Sequence, residues 1–288
     1  MKRVIVTGDD FGLSPAVNEA IEQGHRNGIL TTASLMVGAP AAADAVARAQ
    51  RLPRLKVGLH LVVVCGRPLL PPETIPDLVG SDGNLSERLA RTGVRYYFQP
   101  AVRRQLRAEI RAQFEAFRAT GLTLDHVNSH NHMHLHPTVL SMILEIGPAY
   151  GMRAVRIPRE PTLATWRASR QALFARIVNS MFLAPWVALL AWRVRRAGLR
   201  GNDYVFGLHD TGAMNSARVL GMIGQLPDGV SELYFHPATN AASGPYPSAA
   251  HRACAVELDT LVNPKIRNAL AASGAQPIAF SDLEPIHP

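Results

Sequence analysis

Short apolar runs recur along this chain, and six of them end in a polar residue suited to metal binding or acid–base chemistry. The polar ends are Asp9–Asp10, His60, Ser129–His132, Arg156, His236 and Ser281–Asp282. Runs of β-branched or aromatic residues bounded by turn residues predict buried strands. Polar groups at the carboxyl ends of parallel strands are how a barrel or an open α/β sheet builds an active site. The pattern therefore predicts an enzyme, and a metal-dependent one.

Helical stretches separate these runs almost to the end of the chain. Ser14-Pro15 predicts the N-cap and first residue of a helix that reaches about Arg26. About eight strand–helix units in series predict an α/β fold with a parallel, TIM-like (β/α) barrel-like sheet, and the pattern does not distinguish a closed barrel from a partly open one. With 288 residues and no linker, repeat or low-complexity tract, the chain is expected to be a single domain, 1–288.

Two segments interrupt this alternation. A loop is expected from about Pro68 to Pro100, and loops of that length are usually lids or binding loops. The segment 161–200 is expected to be an apolar helical insertion that lies away from the strand ends. Within it, Met181–Trp192 is apolar throughout but shorter than the roughly 20 residues that span a bilayer, and Pro185 is expected to break it.

The apolar insertion has two interpretations. It is either a core or homodimer-interface helix, or a peripheral membrane contact through 181–200. In the second case apolar residues enter the lipid and arginines face anionic head groups. The apolar set is Phe182, Leu183, Trp186, Leu189 and Leu190, and the basic set is Arg193, Arg195 and Arg196.

Charge and cysteine content narrow the class of protein. Thirty Lys and Arg against 22 Asp and Glu give a net charge of +8. The excess is mostly arginine on helix-like stretches, aromatic residues are only 6%, and no nucleic-acid motif accompanies them, so we expect no nucleic-acid partner. Cys65 and Cys254 form no disulfide framework, and no secretory signal precedes the first strand. We expect a cytoplasmic protein, with membrane contact at the inner surface if the insertion binds lipid.

Asp9 and Asp10 are adjacent carboxylates at the end of the first predicted strand. Most such pairs cap helices or stay solvated. At a strand end, however, two carboxylates can divide the work: one ligates a cation and its neighbour, with a shifted pKa, acts as a base.

Five histidines fall between His126 and His136, out of eleven in the chain. On an extended strand His130, His132 and His134 would share one face. Imidazole favours Zn, Fe, Ni or Cu, whereas a carboxylate partner keeps Mg and Mn available. Histidines this dense predict at least one metal ligand, and spacing alone leaves the choice between His130 and His132 open.

Two further histidines end strands in the same way. His60 is flanked by apolar residues, and with Asp10 and His130 it completes an Asp/His/His set that leaves coordination positions for water and substrate. His236, before Pro237, is placed to act as a general acid. Arg156 either orients Asp9, stabilises developing charge or forms an ordinary salt bridge.

Four motifs resemble those of the YdjC-like carbohydrate deacetylases, a family that includes chitooligosaccharide deacetylases. They are Thr7–Ser14 with Val17–Ile21, Val57–Leu61, His126–His134 and Glu232–Pro237. The run Phe235-His236-Pro237-Ala238-Thr239-Asn240 and the apolar segment before Arg200 resemble the hopanoid-biosynthesis-associated HpnK branch. Ala238 stands where the family usually has Gly, which could reshape the substrate side of the site.

The resemblance implies a barrel-like fold similar to polysaccharide deacetylases and removal of acetyl from an N-acetylamino sugar. For the branch, the sugar is N-acetylglucosamine on a hopanoid lipid. On this basis Asp10, His60 and His130 are expected to hold one divalent cation, Zn or Mg, with Asp9 as base and His236 as acid. Two alternatives remain: a metal-dependent phosphoesterase, and a non-catalytic lipid- or sugar-binding protein at a membrane surface.

Overall fold

The structure, a computed structural model, describes residues 1–239 and 248–284, with only the backbone of 248–252. Asn240, part of the His-Pro motif quoted above, lies outside the described residues. The strands are β1 (Lys2–Phe11), β2 (Thr32–Leu35), β3 (Lys56–Leu61), β4 (Leu124–Ser129), β5 (Tyr204–Phe206), β6 (Gly229–Phe235) and β7 (Gln276–Pro277). The α-helices are α1 (Pro15–Arg26), α2 (Ala42–Gln50), α3 (Leu89–Phe98), α4 (Pro100–Ala119), α5 (Pro137–Ile146), α6 (Thr162–Ser169), α7 (Leu173–Arg196), α8 (Ser216–Ile223), α9 (Ser248–Val262) and α10 (Pro264–Ala272).

The strands form one parallel sheet in the order β4-β3-β2-β1-β6-β5, with β7 beside the start of β1. The extended segment 153–159 connects the two ends of this order. Val127 of β4 exchanges backbone hydrogen bonds with Ala154 and Arg156, and the carbonyl of Arg159 accepts from Val205 of β5. The sheet therefore curves into a barrel, and the predicted α/β, TIM-like fold class is confirmed.

The core lies inside this sheet and between the sheet and its helices. Val4, Ile5 and Val6 of β1 are fully buried, as expected for a parallel strand covered on both faces. On α4, Ile110 and Phe114 recur at helical spacing and are also fully buried. Replacing Phe114 by alanine would cost about 3–5 kcal/mol, since a cavity would remain in the packed interface.

The start of α1 follows the sequence prediction. Ser14 is the N-cap, and its hydroxyl accepts from the backbone N–H of Val17. Pro15 occupies the first turn and Arg26 ends the helix. This cap directs the chain away from the end of β1, where Asp9 and Asp10 lie.

Two of the apolar runs form less strand than their sequence predicts. The run that leads into Arg156 contributes only isolated bridges at Ala154 and Val155, and the run that leads into Ser281–Asp282 forms strand only at β7. After β7 the chain turns into a 3-10 helix, because the carboxylate of Asp282 accepts from the backbone N–H of Ala279 at 2.9 Å. The polar end Ser281–Asp282 is therefore a structural turn.

The two segments that interrupt the strand–helix pattern are more ordered than predicted. The expected loop 68–100 contains α3, which Tyr96 anchors by donating its hydroxyl hydrogen to the carbonyl of Val63. The expectation that Pro185 breaks the apolar stretch is wrong, because α7 runs continuously through it for 24 residues. Among the described residues, α7 is the one helix long and apolar enough to cross a membrane, with a mean hydropathy of 1.6 over its most apolar window.

Candidate active site

Three candidate metal ligands meet where β1, β3 and β4 end. Asp10 lies near the end of β1, His60 near the end of β3, and His130 directly follows β4. Oδ1 of Asp10 lies 3.3 Å from Nε2 of His60 and 3.3 Å from Nδ1 of His130. One ligand atom from each residue falls within 4.8 Å of the others. The structure thus brings together the Asp/His/His set that the sequence predicts.

The backbone turns sharply at both sides of this cluster. Asp10 has a φ of 63°, and Asn131 and His132 have φ values of 52° and 51°. Residues other than glycine rarely adopt this left-handed region, and such strain concentrates at functional sites. The turn at Asn131 and His132 ends β4, so the expectation that His130, His132 and His134 share one strand face is wrong.

The donor set fits a divalent cation. Nδ1 of His60 lies 2.7 Å from the side-chain oxygen of Asn128, so it carries the ring hydrogen and Nε2 carries the lone pair. Nε2 is buried and has no hydrogen-bond partner among the residues that the structure describes. A lone pair facing the carboxylate of Asp10 across 3.3 Å is the arrangement that a cation would complete.

Asp10 is suited to that role because it stays ionised. Burial by itself would raise the pKa of its carboxyl, but the imidazole of His130 holds the pKa well below its usual range. Only 1% of Asp10 is exposed, so its charge is screened by the neighbouring side chains and hardly by bulk water.

A buried ion-pair network holds Asp9 next to this cluster. Arg156 donates to both oxygens of Asp9, at 2.6 and 3.0 Å, and to Glu232 at 2.7 Å. Burial would raise the pKa of Asp9, but the Arg156 guanidinium holds it far below the usual range. Thr7 donates its hydroxyl hydrogen to Glu232 at 2.6 Å. Glu232 was not predicted as a site residue, although it belongs to the motif that leads into His236.

Asn128 is a second residue that the sequence prediction missed. Besides its contact with His60, its amide nitrogen donates to Oδ1 of Asp9 at 3.2 Å and to the Ser34 hydroxyl at 2.9 Å. Asn128 therefore contacts a candidate metal ligand and the candidate base at once. It pairs with His60 across β3 and β4, and a sheet register of that kind cannot be read from one strand alone.

Behind Asn128 the hydrogen-bond chain continues to His126. Ser34 lies 3.0 Å from Nε2 of His126, whose Nδ1 lies 2.9 Å from Asp125. His126 is fully buried against Gly58, where an added Cβ would come within 2.4 Å of the imidazole. His126 is thus a buried supporting residue, and only glycine at position 58 leaves room for its ring.

His236 directly follows β6, where Phe235 pairs with Gly8 of β1, so it lies at the same end of the sheet as Asp9 and Asp10. Its backbone N–H donates to Glu257 at 2.6 Å, which holds the chain at the end of β6. The ring of Tyr234 packs edge-on against it with centroids 5.5 Å apart. Arg156 and His236, the other two predicted catalytic residues, are therefore both brought to this site.

His132 and His134 point elsewhere. Burial, assisted by the Arg156 charge, lowers the pKa of His132 to about 3, so its imidazole is neutral. Its Nε2 lies 3.5 Å from the Tyr234 hydroxyl, while the hydroxyl of Ser129 lies 2.8 Å from Nδ1 of His134. Neither joins Asp10 and His60, so the geometry favours His130 over His132 as the ligand.

A cavity of about 1430 Å³ extends from His132 between α3 and α7. Its walls are mainly apolar and include Tyr97 and Phe98 of α3 with Phe182 and Trp186 of α7. The expectation that the insertion lies away from the strand ends is therefore wrong. The reason is that α7 packs beside the turn at His132 and forms a wall of the cavity that begins there.

The apolar residues of α7 divide between its two faces. Phe182 is 74% exposed and Trp186 is 44% exposed, whereas Leu190 is fully buried in the core. The expectation that Leu190 belongs to the apolar set that enters the lipid is therefore wrong. A helix that is apolar on every side does not indicate in sequence which face packs inward.

Comparison with known proteins gives one family. A sequence model of the family described as YdjC-like protein matches residues 3–272. Two curated relatives described as carbohydrate deacetylases come from Geobacillus stearothermophilus, 39% identical over 164 residues, and Vibrio vulnificus strain CMCP6, 41% identical over 148 residues. These alignments cover 56% and 51% of this chain, but only 63% and 56% of the relatives' own length.

Two more distant matches span more of the chain. A carbohydrate deacetylase from Thermoanaerobacter pseudethanolicus is 27% identical over 239 residues, which is 83% of this chain and 82% of that protein. A crystal structure of a proposed cellobiose-phosphate cleavage protein from Enterococcus faecalis V583 superposes with a TM-score of 0.72 over 97% of each chain, at 22% identity. The structural likeness shows the shared fold.

Proposed function

The chain belongs to the YdjC-like protein family, and from that premise we propose that it is a metal-dependent hydrolase that removes acetyl from an N-acetylamino sugar. The observation that carries this proposal is the Asp10, His60 and His130 cluster with Asp9 held beside it by Arg156. The relatives described as carbohydrate deacetylases support the same reaction class. A binding protein would not need a base and an acid on either side of a cation site.

The reaction is hydrolysis of an acetamide. Asp10, His60 and His130 would hold a divalent cation, with Zn or Mg as the candidates, which would supply Lewis acidity toward the acetyl carbonyl and a lower pKa for water. Asp9 accepts the proton that the attacking water loses, while Arg156 keeps its carboxylate in place. His236 donates a proton to the nitrogen as the C–N bond breaks, since an amide nitrogen leaves poorly until protonated. The products are acetate and the free amine.

Arg156 has opposing effects on Asp9. Its two hydrogen bonds orient the carboxylate, but the positive charge also makes Asp9 a weaker base. Glu232 shares the guanidinium and so offsets part of that charge. In this proposal Arg156 is a positioning residue, and Glu232 tunes its effect.

The substrate that we propose is an N-acetylglucosaminyl group on a hopanoid-type lipid, as in the HpnK branch. The cavity between α3 and α7 supports a lipid-borne sugar, because its apolar walls begin at His132, next to His130. A sugar at the metal would leave its apolar tail along those walls. Burying that tail is favourable by roughly 25 cal/mol for each Å² removed from water.

We also propose that the outer face of α7 contacts the inner membrane surface, so that a cytoplasmic enzyme reaches a substrate held in lipid. Phe182, Trp186 and Trp192 are exposed on this face, and Arg195 and Arg196 are exposed near its end. Arg193 is instead bound to the Pro137 carbonyl and the Ser141 hydroxyl. A second copy of the chain in a homodimer is the alternative occupant. On this proposal residues 1–288 form one domain, with α6 and α7 as its insertion.

The test is mass spectrometry of N-acetylglucosaminyl lipids after incubation with the purified protein and Zn²⁺, Mg²⁺ or Mn²⁺. Loss of one acetyl group is the expected result. Release of phosphate from an aryl phosphate without any release of acetate would instead favour a phosphoesterase. Absence of turnover with every metal and both substrate types would favour a binding protein.

A further inference from the structure

Glu160 is a buried acid in the wall of the apolar cavity, outside the candidate metal cluster. It follows the extended segment 153–159 and lines the cavity together with His209. Its side chain is only 2% exposed. Its Oε1 atom has no hydrogen-bond partner within the parts of the chain that the structure describes. A buried oxygen without a donor costs free energy, so a site of this kind needs an explanation.

The nearest positive charge does not satisfy this oxygen. Nη1 of Arg176 lies 3.7 Å from Oε1 of Glu160, beyond hydrogen-bond distance. Arg176 is already engaged, because it donates to both oxygens of Asp210 at 3.0 and 2.7 Å and to the Gln171 carbonyl at 3.1 Å. Asp210 also pairs with Arg218 at 3.0 Å. These contacts hold the guanidinium of Arg176 away from Glu160.

The other oxygen of Glu160 is held in place by the loop after β5. Oε2 accepts from the backbone N–H of His209 at 3.3 Å and lies 3.4 Å from Nε2 of the same residue. The backbone of Gly207 also stabilises the ionised carboxyl group. The group is therefore oriented, and Oε1 is the oxygen that makes no hydrogen bond of standard geometry within the described residues. Burial raises the pKa of Glu160 to about 7 despite the Arg176 charge.

The charges around Glu160 indicate what kind of ligand fits. Two arginines, Arg176 and Arg218, face two acids, Asp210 and Glu160, so the cluster is close to neutral when Glu160 is ionised. The two carboxylates would repel an anionic ligand, and the two guanidinium groups would repel a cationic ligand. A neutral hydroxyl can donate to Oε1 without disturbing this balance.

We propose that Glu160, with His209 beside it, is a hydroxyl-binding subsite that recognises the sugar of the substrate. Oε1 of Glu160 accepts a hydrogen bond from one sugar hydroxyl, and His209 forms the adjacent polar wall. The inference rests on the proposed function, since the same cavity contains His132 beside the candidate metal centre. Glu160 is then a specificity-determining residue that touches substrate and takes no part in breaking the C–N bond.

The test uses octyl N-acetyl-β-glucosaminide and its 3-deoxy, 4-deoxy and 6-deoxy analogues with wild type and Glu160→Gln. In the variant, the amide oxygen occupies the position of Oε2 and accepts from the backbone N–H of His209. The NH₂ group then occupies the position of Oε1, so a hydrogen-bond donor replaces an acceptor there. We expect KM for the parent glycoside to rise roughly tenfold or more with kcat little changed. One deoxy analogue should show the same KM with both proteins, because it lacks the hydroxyl that Glu160 binds.

Controls separate this inference from the proposed function. Glu73→Gln removes an exposed carboxylate that does not line the cavity, and it should leave every KM unchanged. If wild type releases no acetate, calorimetry of the same glycosides decides the subsite alone: tenfold weaker binding to Glu160→Gln supports it, and equal binding overturns it. An equal rise in KM for all four glycosides, or no rise for any, also overturns it. A comparable urea midpoint shows that Glu160→Gln is folded.

Discussion

The side-chain oxygen of Asn128 lies 2.7 Å from Nδ1 of His60, while its amide nitrogen donates to Asp9 at 3.2 Å. One residue therefore sets the tautomer of a candidate metal ligand and orients the candidate base. Removing both contacts should weaken metal binding, although all three candidate metal ligands remain. We expect Asn128→Ala to lower affinity for Zn²⁺ by about 10–100-fold, measured by calorimetric titration of the metal-free protein. Unchanged affinity would show that His60 does not need this partner.

The ligand assignment has its own test. Asp10→Ala, His60→Ala and His130→Ala should each lose the metal and all activity, because each removes one of the protein ligands. His132→Ala serves as the matched control and should retain the metal, since His132 does not join the cluster. Metal content of the purified variants is the measurement. Full occupancy in His130→Ala combined with loss in His132→Ala would transfer the role to His132.

Substitution of Asp9 should reduce the rate of the chemical step without reducing metal binding. Asp9→Asn should keep the metal but lower kcat by about 10²–10⁴-fold, the usual consequence of losing a general base. His236→Ala should act similarly and flatten one limb of the pH–rate profile. Wild-type turnover by either variant, with metal content matched, would show that the base or the acid is misassigned.

The Arg156 network predicts a stability effect. Arg156→Met would leave Asp9 and Glu232 buried without their common partner. Breaking a buried ion pair on one side typically costs about 3–5 kcal/mol. Urea unfolding should show a loss of that size, whereas Arg195→Met on the exposed end of α7 should change the free energy of unfolding by less than about 0.5 kcal/mol.

Membrane contact through α7 predicts binding to liposomes that contain phosphatidylglycerol, weakening as salt rises. Phe182→Glu combined with Trp186→Glu should abolish that binding, because both side chains are exposed. Activity on a soluble N-acetyl sugar without a lipid tail should survive, because the cavity walls that Phe182 and Trp186 form are proposed to contact the tail and not the sugar. Val256→Glu, at an exposed position on α9, is the matched control and should still bind. A wild-type dimer that never binds liposomes and dissociates in the double variant would assign this face to a second copy.

Glu160 predicts a pH dependence of stability. Its pKa rises from an ordinary 4.5 to about 7 in the folded protein. The resulting contribution to stability is fully present below about pH 4.5 and is lost as the pH rises through 7. At about 1.4 kcal/mol for each pKa unit, the loss is about 3 kcal/mol. The charged and titratable groups near Glu160 are Arg176, Asp210, His209, Arg218 and Tyr234.

The measurement is urea unfolding of wild type and Glu160→Gln at a series of pH values. The variant cannot titrate at this position, so the other groups cancel in the difference between the two proteins. Wild type should lose about 3 kcal/mol relative to the variant between pH 4.5 and 7.5. Parallel curves would mean that Glu160 is ionised at its ordinary pKa.

Much of the site could be predicted from sequence because each strand carries its own signal. Apolar runs that end in Asp10, His60 and His236 are local features, and parallel strands bring their carboxyl ends to one edge of the barrel. The Ser14-Pro15 cap is equally local. Sequence spacing could not identify which histidine is the ligand, because that depends on the left-handed turn at Asn131 and His132 that ends β4.

The α/β barrel, the family and the set of polar residues from which the site is built can all be predicted from the sequence. Which of these residues touch depends on the tertiary fold. Asn128 meets His60 through the register of β3 and β4, and Arg156 meets Asp9 across the barrel interior. The orientation of α7, with Leu190 inward and Phe182 beside the cavity, was also decided there. A helix that is apolar all round carries no periodic signal, so its buried face depends on what it packs against.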